Sequence, residues 1–270
     1  MFNFADSINQ LRSIDNIVSK DNGIQKINPL AKLIITIVYI LTVVSISKYN
    51  VSSLYPFIFY QIILLYLSDI PIKLVLNMTL VGLPLVIGLG LFNLILDRRV
   101  FISLGIITIS YGMLSFTSLF IKGCLTITAG VIFICTVGME DLARALRKIH
   151  VPRIITSQLV FMYRYIFVLI ELVHQVNNAY MLRAPKQKGI NFKVWGPLLG
   201  NLLIRSFDRA DRIYNAMILR GFDGEYVTYT NQKLEIRDFF YIIIWIAFFL
   251  LIKYINIPLL IGNIVIGRGI

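Results

Sequence analysis

Charge is missing from long stretches of this chain: Leu33–Ser47 with its flanks, Val51–Ser68, Leu74–Leu96, Val100–Ile121 and Gly123–Met139. Apolar runs of roughly 17 to 25 residues match the length at which a helix crosses a hydrocarbon core. A further run begins at Phe239 and is interrupted at Lys253. The chain is 57% hydrophobic, where soluble domains are about half apolar. It reads as an all-α, polytopic membrane protein.

The remaining charge is unevenly placed. Of 26 Lys and Arg, 15 fall between Glu140 and Arg237, against 8 acids, and four lie at or before Lys32. Short basic segments beside spans stay in the cytoplasm. Placing both regions there puts the N-terminus inside and requires an even number of crossings between them. Hydropathy offers five runs, an odd number. The weakest, Val100–Ile121, is rich in Gly, Ser and Thr, so residues 100–139 are expected to cross once, after an outer, partly re-entrant portion. Four crossings then precede the basic region and residues 238–256 add a fifth, with six as the alternative. The expected division is 1–139 (tail and four crossings), 140–237 (a cytoplasmic or interfacial helical module) and 238–270 (the last span and a tail).

Within Leu74–Leu96, Pro84 with Gly82, Gly88 and Gly90 suggests a kinked span that packs closely on its neighbours. The opening MFNFADSINQLR has no basic segment ahead of an apolar one, so no cleaved signal is expected. Cys124 and Cys135 lie in an apolar run and read as reduced thiols packed as small hydrophobes. His150 and His174 lack the spacing of a metal pair, and no span carries a metal-ligand set. A formal charge of +12 could attract nucleic acid, but the basic region has no aromatic platform or reading helix, so none is expected as a partner. Its basic faces suit lipid headgroups, with Arg144, Arg147 and Lys148 along a short helix that stops near Pro152.

The basic region has helical periodicity. Between Pro197 and Gly221, Leu199, Leu202, Leu203, Phe207, Ala210, Ile213, Tyr214 and Met217 follow the three–four spacing of one face. Arg205, Asp208, Arg209 and Arg212 fall opposite. Residues 154–183 form a longer helix carrying Arg164, Glu171, His174 and Asn178 as a polar stripe. A half-immersed helix fits this pattern better than a lipid-facing span, because charge is costly at mid-bilayer.

Both helices end on the same phrase. Asn178-Ala179-Tyr-Met-Leu182-Arg183-Ala184 precedes Pro185, and Asn215-Ala216-Met-Ile-Leu219-Arg220-Gly221 runs to a glycine suited to a left-handed cap. In the last turn, each arginine can simply complement the helix dipole. It can equally present a fork of donors to a partner's carboxylate and stay charged when desolvated. Ala184 or Gly221 then lets the tip approach closely. Ala179 with Leu182, and Ala216 with Leu219, give the preceding turn an apolar contact surface.

The segments RSFDRADRIYNAMILRGFDGE, PRIITSQLVFMYRYIFVLIEL, DLARALRKIHVPR and NPLAKL resemble the transmembrane T component of energy-coupling factor (ECF) transporters, in its cobalt/nickel, CbiQ-like branch. The resemblance covers most of the chain, and its specific motifs lie between 141 and 225. In that family, two Ala-Arg-Gly-like motifs end the coupling helices and engage paired ATPases. Carried over by position, their arginines are Arg183 and Arg220, although this chain reads Leu-Arg-Ala and Leu-Arg-Gly. The resemblance implies a non-catalytic subunit with no cofactor of its own, in a bacterial or archaeal cell membrane. ATP and Mg2+ would bind two cytoplasmic ATPase subunits, and a separate membrane substrate-binding (S) subunit would hold cobalt or nickel, or in another branch a vitamin. Consistently, the chain has no G-x-x-x-x-G-K-[ST] phosphate loop.

Two other classes predict different residues. A self-sufficient secondary carrier requires ionisable groups within its spans, which offer little except Lys122, with Asp97 at a loop. A membrane-embedded enzyme requires clustered His, Cys or acids at a boundary, and two histidines supply no such cluster.

Overall fold

The computed structural model describes residues 24, 26–96, 100–104, 107–184, 190–224 and 234–254. The first helix starts where its sequence supplies a cap. The Asn28 side chain accepts the Leu30 N–H at 3.1 Å, and Pro29 takes the first helical position, where a missing N–H costs nothing. In chain order the elements are α1 (Pro29–Ser45), α2 (Phe57–Ser68), α3 (Ile72–Leu96), β1 (Val100–Leu104), β2 (Ile107–Ser110), α4 (Tyr111–Val137), α5 (Met139–Lys148), α6 (Arg153–Arg183), α7 (Phe192–Leu219) and α8 (Ile236–Tyr254). The architecture is helical, with one small departure. β1 and β2 pair antiparallel, Val100 opposite Ser110 and Leu104 opposite Ile107. The apolar run Val100–Ile121 therefore divides between this ribbon and the first turns of the 27-residue α4.

Among the described residues, three helices are long and apolar enough to cross a bilayer: Ile72–Phe92, Gly112–Val137 and Arg153–Arg183. Pro29–Ser45 and Ser52–Ser68 are shorter apolar helices, about 26 Å each at 1.5 Å per residue. The 19-residue α8 is apolar between Asp238 and Lys253.

The described residues form two compact units, one drawn from Asn16–Gly138 and Gln232–Ile270, the other from Met139–Asn231. The first unit is built around rings from α1, α2 and α8. Tyr39 stacks on Tyr60 at 4.8 Å, Phe249 meets Tyr39 at 5.4 Å and Tyr60 at 5.1 Å, and Trp245 meets Tyr60 at 4.6 Å. Gln61 donates to the Tyr39 hydroxyl at 3.1 Å and to the Leu125 carbonyl, which ties α4 to the cluster. Small residues bring α3 and α4 together. A Cβ at Gly82 would lie 2.9 Å from Ile127, one at Gly90 2.7 Å from Phe116, and one at Gly123 2.5 Å from Val86. Gly88 faces open space, so the close-packing role read for all three glycines of this span holds for Gly82 and Gly90 only.

Both ends of α1 are held by charge. At its start, the buried Asp238 carboxylate accepts the backbone N–H of Asn28 and that of Glu235, each at 2.9 Å. Buried Lys32 donates to the Thr136 carbonyl at 3.0 Å. At its end, Lys122 donates to the Val44 carbonyl at 3.1 Å and to that of Ile46, while Lys253 reaches the Ser45 hydroxyl at 3.2 Å. Cations at a helix C-terminus satisfy carbonyls that lack an intrahelical partner. These contacts make α8 parallel and α4 antiparallel to α1. The chain therefore leaves this unit at Gly138, and Glu235, just ahead of α8, stands at the same end, where α1 begins.

Candidate coupling site at two helix tips

In the unit drawn from Met139–Asn231, α5 carries Glu140 and Asp141 in its first turn and Arg147 and Lys148 in its last, the arrangement its dipole favours. Ala143 and Ala145 are buried, while Arg144 pairs with Asp141 one turn away. Burial lowers the Arg144 pKa, and the negative charge of Glu140 opposes that shift.

Helices α6 and α7 form an antiparallel pair. The backbone N–H of Asn191, just before α7, reaches the Tyr180 hydroxyl near the end of α6 at 3.4 Å. At the other end, the ring of Phe222, just past α7, meets that of Phe161 at 5.8 Å. Between them lies an apolar cleft of about 240 Å³, lined by Phe161, Tyr165 and Leu169 from α6 and Ser206, Ile213 and Met217 from α7. Of the apolar face expected on α7, Leu202, Ile213 and Met217 are half-buried, whereas Leu199, Leu203, Phe207 and Tyr214 are exposed. No residue of α7 is fully buried. Its apolar stripe is wider than α6 covers.

The two helices stop by different physics. Ala184 donates its N–H to the Tyr180 carbonyl at 3.0 Å and then leaves helical geometry, with φ −130° and ψ 60°. The following Pro185 disfavours α geometry at that position. α7 ends in a Schellman motif. Phe222 donates to the Met217 carbonyl at 3.0 Å, Gly221 donates to that of Ile218 at 2.9 Å, and Gly221 has φ +82°. Arg183 is therefore the last helical residue of α6, and Arg220 is the cap residue of α7.

Both arginines are exposed, and among the described residues neither meets a carboxylate. Ala179, Ala216 and Gly221 are exposed, Ala184 is half-buried, and Leu182 and Leu219 are 83% and 88% exposed. Each tip is thus a cation beside a bare leucine. The Phe161–Phe222 contact sets Arg220 near the N-terminal third of α6, and Arg183 lies about 33 Å further along that helix at 1.5 Å per residue. The fold does not bring the two arginines together.

Other residues singled out by sequence have simpler surroundings. Arg164 and Glu171 are exposed on α6, and His174 is half-buried on the same helix. Lys122, the residue a carrier would use, caps α1. Asp97 lies outside the described residues. Cys124 and Cys135 are free thiols, half-buried and buried. Among the described residues, no group of three His, Cys, Asp or Glu could hold a metal ion. Sequence reasoning missed the cluster of Asn28, Lys32 and Asp238. The available signal was a lone lysine one turn inside an apolar helix and a lone aspartate in the first turn of another.

Residues 20–230, well over half of the chain, match the protein family described as CbiQ, cobalt transport protein. Among curated proteins, the chain is 26% identical over 187 residues to an uncharacterized protein of Methanocaldococcus jannaschii, covering 66% of this chain and 64% of that protein. It is 31% identical over 117 residues to the nickel permease LarQ of Lactiplantibacillus plantarum, covering 42% of this chain and 43% of the permease. A second uncharacterized protein of the same archaeon is 24% identical over 226 residues, 78% of this chain and 83% of that protein. The chain thus spans less than two thirds of the first two relatives.

Proposed function

This chain belongs to the CbiQ family of cobalt transport proteins, and from that premise we propose that it is the non-catalytic energy-coupling subunit of an ECF-type importer for cobalt or nickel. The likeness to a nickel permease supports considering nickel beside cobalt as the cargo. ATP and Mg2+ bind two cytoplasmic ATPase subunits, which hydrolyse the nucleotide. A separate membrane S subunit binds the metal ion. Closure of the ATPases displaces the helices that end at Arg183 and Arg220, and the long amphipathic helices carry the displacement to the S subunit.

The observation that carries this reading is the pair of uncovered arginine tips. Each joins a guanidinium to an exposed leucine on a helix end, and their separation of about 33 Å is too wide for one small groove. Two docking sites on two subunits fit that spacing. Although α6 has the length and composition of a span, exposed Arg164 and Glu171 would each cost roughly 2.5–3.5 kcal/mol at the bilayer centre. We place α6 at the cytoplasmic interface for that reason. Entry and exit of the 139–235 segment at one end of the first unit support an even number of crossings before it.

Proteoliposomes holding the chain alone, or the chain with its ATPase and S subunits, separate this reading from a self-sufficient carrier. Radiolabelled nickel is expected to enter only the second set, and only with ATP. ATP-independent uptake by the chain alone overturns the proposal.

A further inference from the structure

We propose that Lys32 and Asp238 are positioning residues of the coupling path. Their polar knot holds the points where the chain leaves the first unit and returns to it, so displacement of the intervening helices reaches α1, α4 and α8 together. This rests on the coupling function proposed above.

The knot joins three helix ends. Asp238, 3% exposed, sits in the first turn of α8 and accepts two backbone N–H groups. One belongs to Asn28 at the cap of α1, and the other to Glu235 just ahead of α8. Lys32, 5% exposed, lies one turn into α1 and interacts electrostatically with Asp238. Its Nζ donates to the carbonyl of Thr136, one residue before the end of α4. Helix ends leave N–H and C=O groups without intrahelical partners. Here one carboxylate and one ammonium satisfy such groups on all three helices.

Stability alone is a weak reason to bury such a pair. Desolvating two charges can cost as much as their attraction returns, and apolar replacements are often neutral or better. What the pair supplies beyond apolar packing is direction, because each hydrogen bond fixes one helix end against another. The location gives that direction a use. Gly138, next to the knot, has φ +69°, a left-handed conformation that turns the chain out of α4. Glu235, whose N–H is bound by Asp238, lies three residues past the return at Gln232. Both connections to residues 139–231 are therefore gripped at one place. At the opposite end of α1, the Lys253 contact with Ser45 is exposed and touches neither connection.

The test compares Lys32→Met, Asp238→Asn and the control Lys253→Met in complexes purified with the ATPase and S subunits and placed in liposomes. Radiolabelled nickel uptake and ATP hydrolysis are measured on the same vesicles. Lys32→Met and Asp238→Asn are expected to lower nickel taken up per ATP hydrolysed by about tenfold in the assembled complex. Lys253→Met is expected to keep the wild-type ratio. If uptake falls only in proportion to the complex recovered, with the ratio unchanged, the pair serves stability alone and the inference is overturned. An unchanged ratio in fully assembled variants overturns it as well, while wild-type coupling leaves the proposed function standing. A wild-type chain that recruits no ATPase and supports no uptake overturns both.

Discussion

The ring of Phe222 meets the ring of Phe161 at 5.8 Å with a 62° interplanar angle, locking the capped end of α7 onto the early part of α6. Arg220 is thereby held far from Arg183, which ends α6, and the proposed function makes the two tips separate contacts. Arg183→Glu and Arg220→Glu, made singly, should each weaken attachment of one ATPase subunit, on the order of tenfold or more, as for other reversed charges at an interface. Native mass spectrometry of each purified complex should show a species with one ATPase in place of two. Full occupancy in both variants argues against two independent contacts.

Gly221 is required by its backbone. At φ +82° an alanine is strained, although nothing lies within 4 Å of its Cβ. Gly221→Ala should cost about 1 kcal/mol locally and fray the last turn of α7 without unfolding the chain. Amide exchange at Phe222, whose N–H is bound to Met217, should speed up about fivefold, the equivalent of that energy. Unchanged exchange would show that the Schellman hydrogen bonds do not depend on glycine.

The α3–α4 contact makes a paired prediction. Gly123→Ala drives a Cβ to 2.5 Å from Val86, whereas Gly88→Ala and Gly130→Ala meet nothing within 4 Å. The first should destabilise the chain by about 1–3 kcal/mol, the usual range for overpacking. The other two should be neutral or slightly stabilising, since alanine favours helix. Thermal unfolding in detergent orders the three variants. Equal stability across them refutes close packing at Gly123.

Lys122→Met removes the cation from the end of α1. The freed carbonyls of Val44 and Ile46 should cost about 1–2 kcal/mol, read as a lower melting temperature. Uptake per assembled complex should stay near wild type. Normal stability with abolished uptake assigns Lys122 to an ion path instead.

Local physics made the helix endings legible in the sequence. Gly221 fits a left-handed cap, and Pro185 disfavours α geometry at Ala184, where α6 ends. The ribbon at 100–110 was not legible as strand, because Val100, Ile102, Ile106 and Ile107 satisfy hydropathy in either conformation. Gly82, Gly88 and Gly90 look alike in sequence, and only the partner helix distinguishes them. The Asn28–Asp238 contact spans 210 positions. No periodicity reaches that far, so Lys32 read as the boundary of a span when it is part of a buried knot. The tips were legible as a repeat, but their separation was not. It follows from how α6 packs against α7, which no spacing within either motif encodes.

The central claim is that Arg183 and Arg220 connect this chain to ATP hydrolysis performed by other subunits. The most direct measurement is ATP-dependent nickel uptake, with co-purification of the ATPases, by the double variant Arg183→Glu, Arg220→Glu. The chain should reach the membrane at normal abundance, lose its ATPases on purification, and support no uptake above background. A double variant that retains its ATPases and imports nickel at the wild-type rate contradicts the account.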